Sequence, residues 1–388
     1  MIIAMADAHL EQAIRKDVRE LTGDSYRALS DVKSLIISKA KECQRRNPHE
    51  EIALLIAGDL TDKTRITGGT VEALRGFVND LIMAGVAVYG VEGNHDVQNQ
   101  NVEKPVPFIR AVGGTSLNEK LISVSGLTVY GLDWRSSDKL QEALKKVPPC
   151  DILVMHAPFQ HLLPFDEAWD VRLEDIPKHV RCVIAGDIHK AQYLPGLADR
   201  PAFLSPGSIH PCDMSQDGDH GVFFGEVNLI SGVTGSNYTK LSWTQGVIPS
   251  RQMLSLVLPA EMSEEAQIET FLLGLLQHLP KVADMKPIIK ITYPPERGEA
   301  LRHVLTGKQL SGRAIYIPEP RYSGKLCDSR PAIDIKLESL SLREAIPLVA
   351  DPVTDKTTYE LLVMAAESKT FGSDLDSWIS EKLAGATP

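Results

Sequence analysis

The chain is short of cysteine, of basic excess and of long apolar runs, and each shortage argues against a class of protein. Its 388 residues hold five cysteines, Cys43, Cys150, Cys182, Cys212 and Cys327, scattered with no C-x-x-C pair. An odd, dispersed set argues against a disulfide framework and against a zinc site made of cysteine alone. Reduced thiols in a cytoplasmic protein are the expectation. No stretch approaches the ~18 apolar residues of a membrane-crossing helix. Met1-Ile2-Ile3-Ala4-Met5-Ala6 is apolar but has no basic flank and runs straight into Asp7, so it reads as a first strand rather than a signal peptide. Against 51 Asp and Glu stand only 41 Lys and Arg, a formal charge of −10. Proteins that grip nucleic acid unaided usually carry the opposite balance. Net acidity therefore argues against strong autonomous DNA binding and leaves room for a local basic groove. Internal repeats and low-complexity tracts are absent as well.

What remains is the composition of an ordinary globular protein, 43% hydrophobic and 24% charged, long enough for two or three domains. The first two-thirds alternate strand and helix. Continuous apolar strands are expected at 2–5, 52–57, 86–91, 127–132, 151–155 and 182–185, with helices over 25–46 and 71–84 and Gly85 placed to end the second. Strands apolar at nearly every position, separated by helices, fit an α/β protein whose sheet is covered on both faces. Residues 221–227 and 238–244 read as a hairpin closing a second sheet. A boundary is expected near 246–251. Beyond it, strands at 253–258, 287–293 and 313–317 alternate with helices over 263–279 and 296–305. Short helical segments follow at 340–349, 357–367 and 373–383.

Five short segments stand directly after apolar runs: Asp7-Ala8-His9, Gly58-Asp59-Leu60-Thr61-Asp62, Gly93-Asn94-His95-Asp96, Met155-His156-Ala157 and Gly186-Asp187-Ile188-His189. Asp, Asn and His supply the oxygen and nitrogen donors that hold Mn²⁺, Fe or Zn²⁺. Loops leaving the carboxyl ends of strands are where open α/β sheets gather their ligands. Any one segment is weak. The ordered set is specific.

That order is similar to the calcineurin-like metallophosphoesterase superfamily, over roughly residues 1–245. The run Ala185 to Gln192, followed by Ser205-Pro206-Gly207-Ser208, resembles the SbcD-type DNA double-strand-break repair nucleases, phage-encoded relatives included. The resemblance implies a four-layer α/β/β/α sandwich over 1–247, a smaller α/β capping domain over 248–327, and a C-terminal helical segment over 328–388 that docks on an SbcC-type ATPase. It implies two divalent cations, most readily Mn²⁺, with Mg²⁺ or Fe as alternatives. Asp59 would bridge them. Asp7, His9 and His189 would complete the first position, and Asn94, His156 and Asp187 the second. His95 would protonate the leaving oxygen, a task that suits histidine near neutral pH. Asp96 would orient His95 or tie down its loop. Asp62 would stabilise a turn, and Gly58, Gly93 and Gly186 would let backbone pass close to the metals. Many relatives read G-H-x-H where this chain has Asp187, a swap that adds charge and hardness and favours Mn²⁺ or Mg²⁺.

The expected function is a metal-dependent DNA nuclease, exo- or endonucleolytic, working as a homodimer with an SbcC-like ATPase in repair or recombination, away from membranes. A phosphodiesterase or phosphatase for nucleotides or other small phosphoesters is the alternative that the acidic charge favours. A non-enzymatic scaffold, like the retromer's phosphoesterase-like subunit, is disfavoured because His95 and a full set of ligand types are present. His210, just past the Pro-Gly-Ser turn, is a candidate phosphate contact. Lys63, Arg65, Arg135 and Lys190 are candidates to line a phosphate channel, and His49, His161, His179, His278 and His303 read as surface or structural.

Overall fold

Side chains alternate across a strand, so a strand that is apolar throughout needs cover on both faces. β1 (Ile2–Met5) is fully buried and shows how the chain meets that need. Ile3 and Met5 pack toward helices, while Ile2 and Ala4 pack toward a second sheet. The computed structural model describes residues 1–321, apart from 16–17, 63–65, 97–106, 161–169, 198–199, 215, 217, 232–236, 259–261, 263, 280–281 and 283. The proposed helical segment 328–388, with Lys63, Arg65 and His161, lies outside the described residues.

After β1 come α1 (Asp24–Arg46), β2 (Ile52–Ala57), α2 (Gly68–Met83), β3 (Val86–Val91), α3 (Phe108–Ala111) and β4 (Thr115–Ser116). Then follow β5 (Leu121–Val124), β6 (Leu127–Leu132), α4 (Ser137–Leu144), β7 (Cys150–His156), β8 (Val180–Gly186), β9 (Gln192–Leu194) and β10 (Ala202–Ser205). The hairpin arms are β11 (Gly221–Ser231) and β12 (Asn237–Val247). Two six-stranded sheets result, ordered β12-β11-β1-β2-β3-β4 and β5-β6-β7-β8-β10-β9. Leu29, Val32, Ile36 and Leu74 of the helices fill one outer layer against Leu54 and Ile56. Ala53, Leu55 and Ala57 meet Ile152, Val154 and Ile184 between the sheets. Leu140 and Leu144 cover Leu153 and Val183 on the far side. This is the four-layer α/β/β/α sandwich.

Helix boundaries follow local chemistry. α1 ends on Arg45 and Arg46, cations placed against the negative end of the helix. α2 starts three residues before the expected Val71, because the Thr67 side chain accepts from the Thr70 N–H and caps it. Gly85, at φ +79°, takes the left-handed turn that ends it. The hairpin corrects one expectation. β11 does not close a second sheet but pairs antiparallel with β1, Ile3 against Phe224. Phe224 and Val222 join the helix-side core and Phe223 the inter-sheet core, so the strand is apolar on both faces as that edge requires.

The remaining described chain forms a parallel three-stranded sheet of β13 (Met253–Val257), β14 (Ile288–Tyr293) and β15 (Ile315–Pro320). α5 (Glu265–His278) and α6 (Gly298–Thr306) cover one face through Ile268, Leu272, Leu301 and Val304. α5 begins just after the expected Ser263, with Glu264 at the cap and its N–H donating to Gln267 Oε1. The other face of the sheet, Ile288, Ile315 and Ile317, packs on Leu21, with Ala13, Ile14, Val18 and Met214 around it. Arg251 pins this junction, 8% exposed, with Nε and Nη2 each 2.7 Å from a carboxylate oxygen of Asp24. Lys286 adds a 2.8 Å pair to Glu20. Replacing Arg251 with alanine leaves Asp24 unpaired in a half-closed site. The expected cost is about 2–4 kcal/mol, somewhat under that of breaking a fully buried pair. A urea melt checks it, and a loss under 0.5 kcal/mol, the usual scale of a bland surface change, would show that the junction does not depend on this pair.

Candidate metal centre

Each of the five segments leaves the carboxyl end of a strand. Asp7 and His9 follow β1, Asp59 follows β2, and Asn94 to Asp96 follow β3; His156 ends β7, and Asp187 and His189 follow β8. β1–β2–β3 and β6–β7–β8 run parallel within their sheets, so these ends collect on one rim. Backbone bonds zip the loops together: Asp7 N–H donates to the Gly58 carbonyl (3.1 Å), and His9 N–H to that of Asp59 (3.0 Å). Asp7, His9, Asp59 and Asp187 sit at φ 50°, 40°, 51° and 92°. Such backbone costs roughly 1–3 kcal/mol per residue and persists only where the surroundings impose it.

Asp59 organises the centre. Its Oδ1 accepts the His95 backbone N–H at 3.0 Å, which leaves Oδ2 to face inward. Oδ2 lies 3.5 Å from His9 Nε2 and 3.4 Å from His156 Nε2, one carboxylate oxygen shared between two imidazoles. On the first side, His189 Nε2 stands 3.0 Å from His9 Nε2. On the second, His156 Nε2 is 2.8 Å from Asn94 Oδ1 and 3.6 Å from Asp187 Oδ1. The Ala57 carbonyl lies 2.8 Å from His156 Nδ1, a contact that places the proton on Nδ1 and directs the Nε2 lone pair into the centre. Asp7 reaches both sides: Oδ1 accepts from the Asp187 N–H at 3.0 Å, and Oδ2 is buried without a partner.

The donors fit divalent cations. Bonds of about 2.0–2.2 Å hold neighbouring donors about 3.0–3.5 Å apart, which is the spacing found here. The electrostatics point the same way. Burial, with the charges of Asp59 and Asp187 adding to it against the pull of His156, pushes the Asp7 carboxyl well above its usual range. Burial works to lower His156, yet Asp59, Asp7 and Asp187 outweigh it and raise that imidazole to about 10. Buried carboxyl groups crowded around one imidazole resist ionising together, and a cation would relieve the excess of negative charge that their ionised forms carry.

Glycine is required where backbone crosses the centre. A Cβ on Gly93 would stand 2.0 Å from Asp59 Oδ1, and one on Gly186 would stand 2.1 Å from the Ala57 carbonyl and 2.7 Å from His156 Nδ1. Gly186→Ala should therefore fold with a loss of about 1–3 kcal/mol, the scale of overpacking. Metal affinity should fall about 10–100-fold, as when an outer partner of a ligand is displaced. Calorimetric metal titration beside a urea melt separates the two effects; unchanged affinity would show that the Ala57–His156 contact does not set the ligand.

The remaining expected residues fall out as follows. Asp96, 6% exposed, ties the loops together by accepting from the N–H groups of Leu60 (3.3 Å), Thr61 (3.1 Å) and Gly93 (3.1 Å). His95 is oriented instead by the Asp62 carbonyl, 2.8 Å from its Nδ1. His210 is 3% exposed, with the carbonyls of Ala8 and Pro211 at its two ring nitrogens, so it braces the Asp7–His9 loop rather than reaching for phosphate. Arg135 pairs with Glu119 at 2.7 Å, and Lys190 lines an open cleft of about 660 Å³ beside Asp187 and His189.

Two supporting residues, Gln216 and His220, carried no sequence signal of their own, while a third, Ser205, opens the Ser-Pro-Gly-Ser turn that marks the resemblance. Ser205 Oγ lies 3.0 Å from the carbonyls of both Ile188 and Lys190, so the Pro-Gly-Ser turn holds the His189 loop. Gln216 stands 2.8 Å from His189 Nδ1, and His220, 3% exposed, lies 2.9 Å from the Ser208 carbonyl. The segment 210–220 is dense in His, Asp and Cys, the one compositional hint that it approaches the centre.

Residues 1–191 match the family model for calcineurin-like phosphoesterases. Two curated relatives carry the name DNA double-strand break repair protein Mre11. The one from Nanoarchaeum equitans is 22% identical over 50% of this chain and 58% of its own length. The one from Sulfolobus acidocaldarius is 26% identical over 33% of this chain and 38% of its own. The chain thus spans less than two thirds of either relative. Among solved structures, Vps29 from Chaetomium thermophilum is 14% identical over 64% of this chain and 98% of its own, with a TM-score of 0.23. No helix among the described residues is long and apolar enough to cross a membrane. By the family match over residues 1–191, the chain carries a calcineurin-like phosphoesterase domain, and its buried centre presents a donor set suited to divalent cations.

Proposed function

We propose that the protein is a DNA nuclease that hydrolyses phosphodiester bonds with two divalent cations, most readily Mn²⁺, as the nuclease subunit of an SbcCD-type complex. One observation carries the metal chemistry: Asp59 Oδ2 lies between His9 and His156 while Oδ1 is held by the loop that bears His95. Asp59 would be shared by the two cations, with Asp7, His9 and His189 completing one position and Asn94, His156 and Asp187 the other. When bound, such a cation pair activates water, neutralises phosphate oxygens and aligns the displacement. The protein's own part is to hold the ester in line and to manage the leaving group. The Asp62 carbonyl, 2.8 Å from His95 Nδ1, holds a proton there, which leaves Nε2 as the nitrogen that would give a proton to the departing oxygen. Asp96 fixes the loops so that His95 and Asp59 move as one piece.

The choice of DNA is supported by the names of the two relatives, by the Pro-Gly-Ser turn against the His189 loop, and by the chain that continues past 247. We assign 248–327 to a cap over the substrate path, 328–388 to docking on an SbcC-like ATPase, and the working form to a homodimer. The net charge of −10 favours a second reading, a small-phosphoester hydrolase. Offering linear duplex, single strand, cyclic nucleotides and nucleotide monophosphates at equal concentration, in Mn²⁺ and then EDTA, decides between them. Metal-dependent DNA cleavage is the expected result. Turnover of only the small esters would overturn the nuclease reading.

A further inference from the structure

The first metal position has a soft neighbour. Cys212, 4% exposed, brings its sulfur to a ring nitrogen of His9 and one of His189, all within 4.8 Å of one another. Its backbone is held on both sides: the N–H donates to Gln216 Oε1 (2.8 Å), and the carbonyl accepts from Gln12 Nε2 (3.1 Å). The same Gln216 amide stands 2.8 Å from His189 Nδ1, so one side chain sets the spacing of Cys212 and His189. His9, 2% exposed, closes the group, and its Nδ1 is buried without a hydrogen-bond partner.

We infer that His9, His189 and Cys212 form a zinc(II)-binding set that competes with the harder cations for the first metal position. Two imidazoles and a thiolate are donors that zinc takes in tetrahedral sites, a three-residue set that would leave the fourth position to water. Mn²⁺ and Mg²⁺ prefer oxygen and gain little from sulfur. On binding, the thiol proton passes to solvent and a sulfur–metal bond forms, with no change of oxidation state. The second position, faced by the oxygens of Asn94 and Asp187, keeps its preference for hard cations. The inference rests on His9 and His189 being metal ligands and adds Cys212 to them.

The test uses the full chain stripped of metal and titrated with Co²⁺, a spectroscopic stand-in for zinc, with Mn²⁺ titrated in parallel. A sulfur-to-cobalt charge-transfer band that saturates at one cobalt per chain and is displaced by Zn²⁺ is expected. The band should vanish in Cys212→Ser and in Cys212→Ala, the second variant guarding against a folding defect in the first. Zinc affinity should fall about 10–100-fold in both, at least the loss seen on removing an outer partner of a metal ligand. Mn²⁺ affinity should change far less. Cobalt bound without the band in the wild-type protein, or a band that survives both substitutions, would overturn the inference and leave the metal centre standing. Failure to bind either Co²⁺ or Mn²⁺ would remove both.

Discussion

Asp59→Ala is expected to empty both metal positions at once and to lower hydrolysis by about 10⁴-fold or more. Each cation contributes several kcal/mol to the transition state, and each 1.36 kcal/mol is about a factor of ten in rate. The expectation follows from a single oxygen serving two imidazoles, at 3.5 and 3.4 Å. A ligand to one cation alone would, when lost, leave the other in place. Elemental analysis after Mn²⁺ reconstitution therefore distinguishes a bridge from an ordinary ligand. The bound state supplies a second readout. A cation at 100 times its dissociation constant stabilises the folded protein by about 2.7 kcal/mol, so wild type should melt higher in Mn²⁺ than in EDTA. The variant should show no such difference. One equivalent of retained metal, with part of the thermal shift, would mean that Asp59 belongs to one side only.

His95→Asn should lower turnover by about 10²–10⁴-fold while metal content and the Mn²⁺-dependent thermal shift stay at wild-type levels. The ring stands beside the centre, its centroid 4.9 Å from that of His9, and is held by the Asp62 carbonyl, while its backbone N–H donates to Asp59 Oδ1, a bond that asparagine keeps. The leaving group makes the test sharper. A DNA phosphodiester expels an alkoxide that needs a proton, whereas an activated aryl phosphodiester expels a phenolate that barely does. The variant should be severely slowed on DNA and much less on the aryl ester. Equal losses on both substrates would assign His95 to phosphate binding or positioning instead of proton donation.

The five ligand segments were legible in the sequence because each comes at the buried apolar end of a strand, where a carboxylate or imidazole has no business unless it does chemistry there. Strands β2, β3 and β6 were legible for the related reason that cover on both faces writes a nearly continuous apolar run. The sheet that β11 would join was not, since Val222, Phe223 and Phe224 are apolar on both faces and would suit either sheet; only the partner decides. β9 and β10 are short and partly polar, and blend into the turn between them. Gln216, His220 and Cys212 belong to a loop that reaches His9 and His189 from far along the chain, and no local periodicity records such a contact. The role of Asp96 was open for a similar reason: adjacency to His95 suggests orientation, whereas the carboxylate turns back to the N–H groups of Leu60, Thr61 and Gly93.

The junction between Leu21 and the third sheet bears on how the protein can be divided. The residues that pack there, Ala13, Ile14, Val18 and Leu21, begin four residues after His9, and Met214, two residues after Cys212, packs beside them. Both strands of chain that frame the first metal position thus run directly into the contact with Ile288, Ile315 and Ile317. Cutting at 247 to isolate a minimal catalytic fragment would strip Leu21 of its cover and release both approaches to His9 at once. The phosphoesterase fold and the unit that follows it are accordingly separate as sheets but joint as machinery, and a trimmed enzyme would be expected to lose its metal before it lost its fold.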